Sequence, residues 1–196
     1  MAELKLPVSE DSIRDLKVGD FVELTGRMIT GRDAAHKWLI EGFREEVAPY
    51  LKDTVIYHCG PVVAENEDGA YNFVAAGPTT SIREEPYQAD VIGRYGLRGV
   101  IGKGGMGAKT LEGLATHGAV YLHAVGGAAQ VLARRIPRVE KVFMLAEFGV
   151  PEALWVIEVD RFPVMVTMDS HGGSLHAEVE ASSARNLESL REPAAV

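Results

Sequence analysis

The stretch 97-LRGVIGKGGMGAKT-110 decides the fold class. A short apolar run at 97–101 passes through Gly102, Gly104 and Gly107, spaced G-x-G-x-x-G, into a helical segment at 107–117. A strand feeding a helix through glycines is one β–α unit, and similar units lie on both sides. Downstream, a strand at 119–125 runs through paired glycines into a helix over 126–136. Upstream, the strand 21–30 alternates Phe21, Glu23 and Thr25 with Val22 and Leu24. It leads into a helix over 32–47, where Ala35, Leu39, Phe43 and Val47 share one face. Strands at 54–63 and 71–76 precede a helix from Thr79 to about Gly93. The end is strand-rich, at 140–148, 154–160 and 163–169, with a polar helix at 182–191. Alternating β and α segments imply parallel pairing through helical crossovers, and the β-rich flanks make the sheet mixed. The expected fold is α/β, with a mixed, partly parallel sheet and flanking helices. One domain covers residues 1–196, with 1–17 and 177–196 as peripheral segments.

Composition narrows the function classes. A formal charge of −8 argues against broad binding to nucleic acid or to an anionic membrane, both of which need cationic surface. Cys59 is the single cysteine, so no internal disulfide forms and no iron–sulfur cluster can be held by this chain alone. Cys59 closes an apolar run and reads as a small core residue. The six histidines include no helical pair at ligand spacing, which makes a zinc site improbable. Asp169, Ser170 and His171 are neighbours on a turn and cannot assemble a triad, so His171 is expected to be exposed there. The most apolar segment, 119–133, is interrupted by His123, Gln130 and glycines and is too short to span a bilayer. The start of the chain carries acids and a proline where a signal peptide needs an apolar core. A cytoplasmic location is the expectation.

The glycine loop fails two nucleotide readings. A dinucleotide turn needs an acid about 20 residues on to hold a ribose, yet no Asp or Glu lies between Glu112 and Glu140. A P-loop aligned on Lys109 and Thr110 puts Lys103 and Ala108 where glycines belong. Two readings stay open: a turn whose glycines only bend the chain, or a cradle of backbone N–H groups at a helix end with the charge of Lys103 beside it. Arg32 in 29-ITGRDAAH-36 and Arg83 in 77-GPTTSIRE-84 also stand at helix starts, where the macrodipole disfavours them. In a parallel arrangement these junctions share one sheet edge, so Arg32, Arg83 and Lys103 can converge on a small dicarboxylate. Each has a plainer reading. Ser81 and Glu84 fit a capping box, Arg32 has Glu41 and Glu45 in reach, and Asp33 with Lys37 forms an i,i+4 pair.

The ordered set GRDAAH, YHCGPVV, GPTTSIR, GKGGMG, AVYLHAVGGAA and WVIEVDRFPVMVTMDSHG resembles the β subunit of two-subunit class I fumarate hydratases and the related tartrate dehydratases. The likeness covers roughly residues 18–176. It implies a swivelling β/β/α domain that acts only beside an α subunit, whose three cysteines hold a 4Fe-4S cluster. It implies reversible addition of water to fumarate, giving L-malate, with the cluster iron as Lewis acid. It places the proton-transferring threonine on Thr79 and the carboxylate-binding residues on Arg32, Arg83 and Lys103, with Thr80 and Gly104 alongside. It implies no metal ligand on this chain, and a homodimer or hetero-tetramer in the assembly. The chain departs from the family where Glu84 follows Arg83 in place of methionine. Tartrate or methylfumarate is the alternative substrate, and a non-enzymatic dicarboxylate-binding module is the alternative of another class.

Overall fold

A computed structural model describes residues 2–191. In chain order the first elements are β1 (Ala2–Leu6), α1 (Glu10–Arg14), β2 (Phe21–Thr30), α2 (Asp33–Glu41), α3 (Ala48–Leu51) and β3 (Val55–Tyr57). Next come β4 (Val62–Glu65), β5 (Tyr71–Ala75), α4 (Glu85–Tyr95), β6 (Gly99–Gly102), α5 (Ala108–His117) and β7 (Val120–His123). The chain continues through α6 (Ala129–Ala133), β8 (Arg138–Phe143), α7 (Leu145–Phe148), β9 (Leu154–Met168) and α8 (Leu175–Arg191).

Seven strands form one mixed sheet in the order β1-β2-β3-β6-β7-β9-β8, while β4 and β5 make a separate hairpin. The strands β1, β2, β3, β6 and β7 run parallel to their neighbours, and β9 runs antiparallel to β7, β8 and β2. Because β9 also pairs along β2, the sheet closes on itself through β2, β3, β6, β7 and β9. Period-two alternation fills both faces. Val55, Tyr57, Ile101, Val120, Leu122, Trp155 and Ile157 join one core, and Ile56, Val100, Tyr121, Leu154 and Val156 join the other, against α2, α4 and α5. Trp155 is fully buried, its ring edge-on to Tyr71 and Phe73, and its indole N–H donates to the Val150 carbonyl at 3.0 Å. Burying a large apolar side chain stabilises the fold by roughly 1.5–3 kcal/mol.

Several boundaries differ from the expected ones. The helix at 32–47 stops at Glu41 because Gly42 is fully extended (φ −175°, ψ 159°). Phe43 therefore leaves the apolar face and stacks on Tyr95 with ring centres 5.2 Å apart. Thr79 and Thr80 lie outside any helix. A 3-10 turn at Ser81–Glu84 comes first, and α4 starts at Glu85, with Pro86 in the first turn where its missing N–H costs nothing. The strand expected at 54–63 is split between β3 and β4, and the helix at 126–136 shrinks to α6. The run at 140–148 turns at Met144 (φ 60°) into the short α7. The two strands expected at 154–160 and 163–169 are one, β9, which bends where Arg161 takes φ 47°. The closing helix α8 begins earlier, at Leu175. Residues 1–17 contribute the edge strand β1 and the helix α1, and Leu6, Val8, Ile13 and Leu16 are buried. Residues 192–196 of the expected tail lie outside the described residues.

Candidate active site

The ends of the parallel strands build the site. Beyond Tyr57 and Ile101 the strands β3 and β6 part, and residues 78–81 enter between them. The Thr79 N–H donates to the His58 carbonyl at 2.7 Å, the Lys103 N–H to the Thr79 carbonyl at 3.3 Å, and the Ser81 N–H to the Lys103 carbonyl at 3.0 Å. Isolated bridges Cys59 to Pro78 and Thr80 to Lys103 complete the insertion. Backbone pairing thus sets Thr80 opposite Lys103, with the Thr79 carbonyl bonded to the Lys103 N–H; Thr79 is half-buried and Thr80 exposed. Two glycines have specific reasons. A Cβ on Gly102 would meet Ser81 Oγ and stand 3.1 Å from the Tyr121 hydroxyl, while Gly104 takes φ +80°, open to few L residues. Gly126, at the end of β7, would place a Cβ 3.7 Å from Lys103 Cδ, so the AVGGAA turn lies beside the lysine stem.

The cradle reading of the loop needs correction. The N-terminus of α5 is already occupied: the Glu85 carboxylate accepts from the Gly107 N–H at 2.8 Å, the Thr110 N–H at 3.2 Å and the Thr110 hydroxyl at 2.6 Å. At α2 the Glu152 carboxylate accepts from the Ala34 N–H at 3.1 Å. Its other oxygen lies 3.4 Å from Arg32 Nε, at ion-pair distance but without hydrogen-bond geometry. Arg32 therefore pairs with Glu152 rather than Glu41 or Glu45. Asp33 pairs with Arg83 rather than Lys37. These contacts draw Arg32 and Arg83 to one place, each already facing an acid. Lys103 has no ion pair among the described residues. The Arg32 side chain lies across Gly60, where a Cβ would strike its guanidinium.

The capping-box reading of Ser81 and Glu84 also fails. Thr80 stands at the cap position with no side-chain cap bond, and both Ser81 and Glu84 are fully buried. Ser81 Oγ instead lies 2.9 Å from His58 Nδ1 and accepts from the Tyr121 hydroxyl at 2.9 Å. From His58 the chain of contacts continues inward. His58 Nε2 is 2.8 Å and His36 Nε2 is 2.9 Å from the Gln88 side-chain amide, and His36 Nδ1 is 2.9 Å from the Arg32 carbonyl. Burial lowers the proton affinity of both imidazoles, so both are neutral. His36 Nδ1 faces a carbonyl and must carry the proton, which leaves Nε2 an acceptor. Gln88 Oε1 is the atom against both rings, while its Nε2 is buried without a partner among the described residues. A neutral His36 with an accepting Nε2 requires the amide turned the other way, its NH2 group toward the rings, the orientation of an amide being set by its hydrogen-bond partners. The sequence reading missed this relay, because its members come from α2, β3, the 3-10 turn, α4 and β7. The only signals were His36 and His58 inside motifs already noted.

The donor set does not fit an iron–sulfur cluster. Cys59 is fully buried, and burial pushes its thiol up to about 12, away from the thiolate a cluster needs. Among the described residues no three His, Cys, Asp or Glu side chains group as metal ligands. His171 is exposed in its turn, where its Nε2 lies 2.7 Å from the Arg14 carbonyl. No helix among the described residues is long and apolar enough to cross a membrane.

Comparison with known proteins places this geometry in a lineage. A protein of Geobacillus stearothermophilus, provisionally named class I fumarate hydratase, is 53% identical over 190 residues, which is 97% of this chain and 36% of that protein. The chain thus spans about a third of that relative's length. A protein of Methanocaldococcus jannaschii, provisionally named L(+)-tartrate dehydratase subunit beta, is 39% identical over 93% of this chain and 95% of its own length. The L(+)-tartrate dehydratase subunit beta of Escherichia coli K12 is 40% identical over 89% of this chain and 86% of its own. The family profile described as Fumarase C-terminus matches residues 1–179, which include all the strands of the closed sheet and the Thr79–Lys103 pairing, and the chain belongs to that family.

Proposed function

We propose that this chain is the β subunit of an iron–sulfur hydro-lyase that hydrates fumarate to L-malate, supplying carboxylate binding and a proton-transfer residue to a site shared with a second subunit. Since the donors here do not fit a 4Fe-4S cluster, the cluster belongs to the partner α subunit. The observation that carries the reading is the insertion of Thr79 and Thr80 between the ends of β3 and β6, with the Thr79 carbonyl bonded to the Lys103 N–H and Thr80 paired with Lys103.

Arg32, Arg83 and Lys103 hold the substrate carboxylates, with Thr80 and the bare backbone at Gly104 beside them. The Thr79 hydroxyl moves a proton to or from the substrate carbon. It makes no hydrogen bond to a described residue. General acid–base groups contribute about 10²–10⁴-fold to rate. Thr79→Ala in the anaerobically assembled complex should therefore cut kcat by that factor and leave KM nearly unchanged. Full turnover by that variant removes Thr79 from the mechanism. The separate β subunits named for tartrate dehydratase match this chain over most of their length, which favours tartrate as the second reading. The ratio of kcat/KM for fumarate and L-tartrate decides between them.

A further inference from the structure

The surroundings of Glu84 are unusual for a carboxyl group. It is 0% exposed, and neither oxygen has a hydrogen-bond partner among the described residues. The groups around it come from every neighbouring element. His58 Nδ1, beyond β3, is 4.0 Å from Oε2. Arg32, at the start of α2, and Arg83, next in the chain, favour its ionised form, while the Glu152 carboxylate opposes it. The Tyr121 hydroxyl on β7 feels its charge. Burial outweighs the arginines and lifts the carboxyl to about 7. Its neutral and ionised forms are therefore close in free energy near neutral pH. The neutral form adds no charge to the Arg32–Glu152 and Arg83–Asp33 pairs, whereas the ionised form adds a negative charge that opposes an incoming anion.

We propose that Glu84 is a proton-linked affinity residue: binding of a dicarboxylate dianion at Arg32 and Arg83 draws one proton from solvent onto Glu84, so that substrate affinity falls as Glu84 ionises. This rests on the carboxylate-binding role proposed for the two arginines. Glu84 acts through Arg32 and Arg83 and is a positioning residue, not a catalytic one. The proton balance is simple. Enzyme with ionised Glu84, one dianion and one proton give the complex with neutral Glu84. By linkage, KM rises with pH above about 7, by up to tenfold per pH unit, until the higher value of the bound state is reached.

The test uses the assembled complex and succinate, a saturated dicarboxylate that cannot be hydrated. Calorimetric titration near pH 7.5, in buffers of different ionisation enthalpy, counts the protons taken up. The wild-type complex should take up a substantial fraction of one proton more than Glu84→Gln, and Glu84→Gln should show a KM for fumarate that stays flat where the wild-type value climbs. Glu84→Met should behave like Glu84→Gln. A residue with only a structural role would change melting temperature and leave both readouts alone. Equal proton uptake by wild type and Glu84→Gln overturns the inference and moves the proton to another group, His58 first. Succinate binding that Lys103→Ala weakens, but without uptake at Glu84, overturns this inference and leaves the site intact. No dicarboxylate binding at all overturns both.

Discussion

Gln88→Leu tests whether the buried relay holds the floor of the site. Leucine has nearly the volume of glutamine and fits a helix as well, so neither packing nor the propensity of α4 changes much. What disappears is the amide in contact with His36 Nε2 and His58 Nε2, which donates to both once its NH2 group faces the rings. Both imidazoles are fully buried, so each acceptor is left without solvent. An orphaned buried polar group costs about 1–3 kcal/mol, giving roughly 2–6 kcal/mol for the pair before the apolar gain of the leucine. About 1–5 kcal/mol remains, which lowers the melting temperature of a domain of this size by roughly 2–20 °C. Scanning calorimetry at about pH 7.5 measures it, where both histidines are neutral in either state. Combining Gln88→Leu with His36→Leu should cost less than the sum, because the amide then has one fewer acceptor to lose. A loss below about 1 kcal/mol, or strict additivity, would refute the donating amide and with it the neutral relay.

Other outcomes follow from the same contacts. Glu84→Gln should raise stability at about pH 8 and do nothing at about pH 4. The unfolded carboxyl ionises from the ordinary 4.5 and the folded one from about 7, so stability falls across that window and the full cost, ~3 kcal/mol, applies above it. The chemical denaturation midpoint of both proteins against pH checks this. His36 and His58 act at the other end. Their folded proton affinity is lowered, so stability is intact above about 6.5 and falls as acid protonates the unfolded rings, up to ~1.4 kcal/mol per pH unit for each. Gly60→Ala should raise KM by about tenfold or more with less effect on kcat, since its Cβ displaces the Arg32 guanidinium and stands 3.0 Å from the Pro151 carbonyl; one lost charge-assisted bond has that magnitude. The isolated chain should bind succinate too weakly to titrate, whereas a dicarboxylate-binding module would bind it as tightly as the complex does.

The sequence carried the fold class because periodicity is local. Val22 and Leu24 against Phe21, or Ile56 between Val55 and Tyr57, declare a pleated strand without help from the rest of the chain. Strand and helix ends were less legible, because one residue's backbone conformation sets them: extended Gly42, and Met144 and Arg161 in the left-handed region. Among the site residues, the junction positions of Arg32, Thr79, Arg83 and Lys103 could be read from strand-to-helix order. Their partners could not. Glu152 reaches Arg32 from 120 positions away, and Glu85 caps α5 from the start of another helix. The S-x-x-E spacing at Ser81 and Glu84 offered a complete local explanation. It was wrong because the sheet ends supply better partners for Ser81, in His58 and Tyr121, than the turn's own backbone does.

Charge counting explains why these partners matter. Arg32, Arg83 and Lys103 bring three positive charges to the sheet edge, and Asp33 and Glu152 pair with two of them. One net positive charge remains if Glu84 is neutral, and none if it is ionised. Neither sum neutralises a dicarboxylate dianion, whose desolvation on a shelf of this kind needs compensation for both charges. The acids do not make the arginines useless. They hold each guanidinium in place, at Gly60 for Arg32 and beside α2 for Arg83, so that little side-chain entropy is lost when a carboxylate arrives. On the proposed function, the shortfall is met by the partner, which brings positive charge to the same edge. On this reasoning the shelf is preorganised for one carboxylate and electrostatically incomplete for two, the arrangement expected of a site divided between subunits.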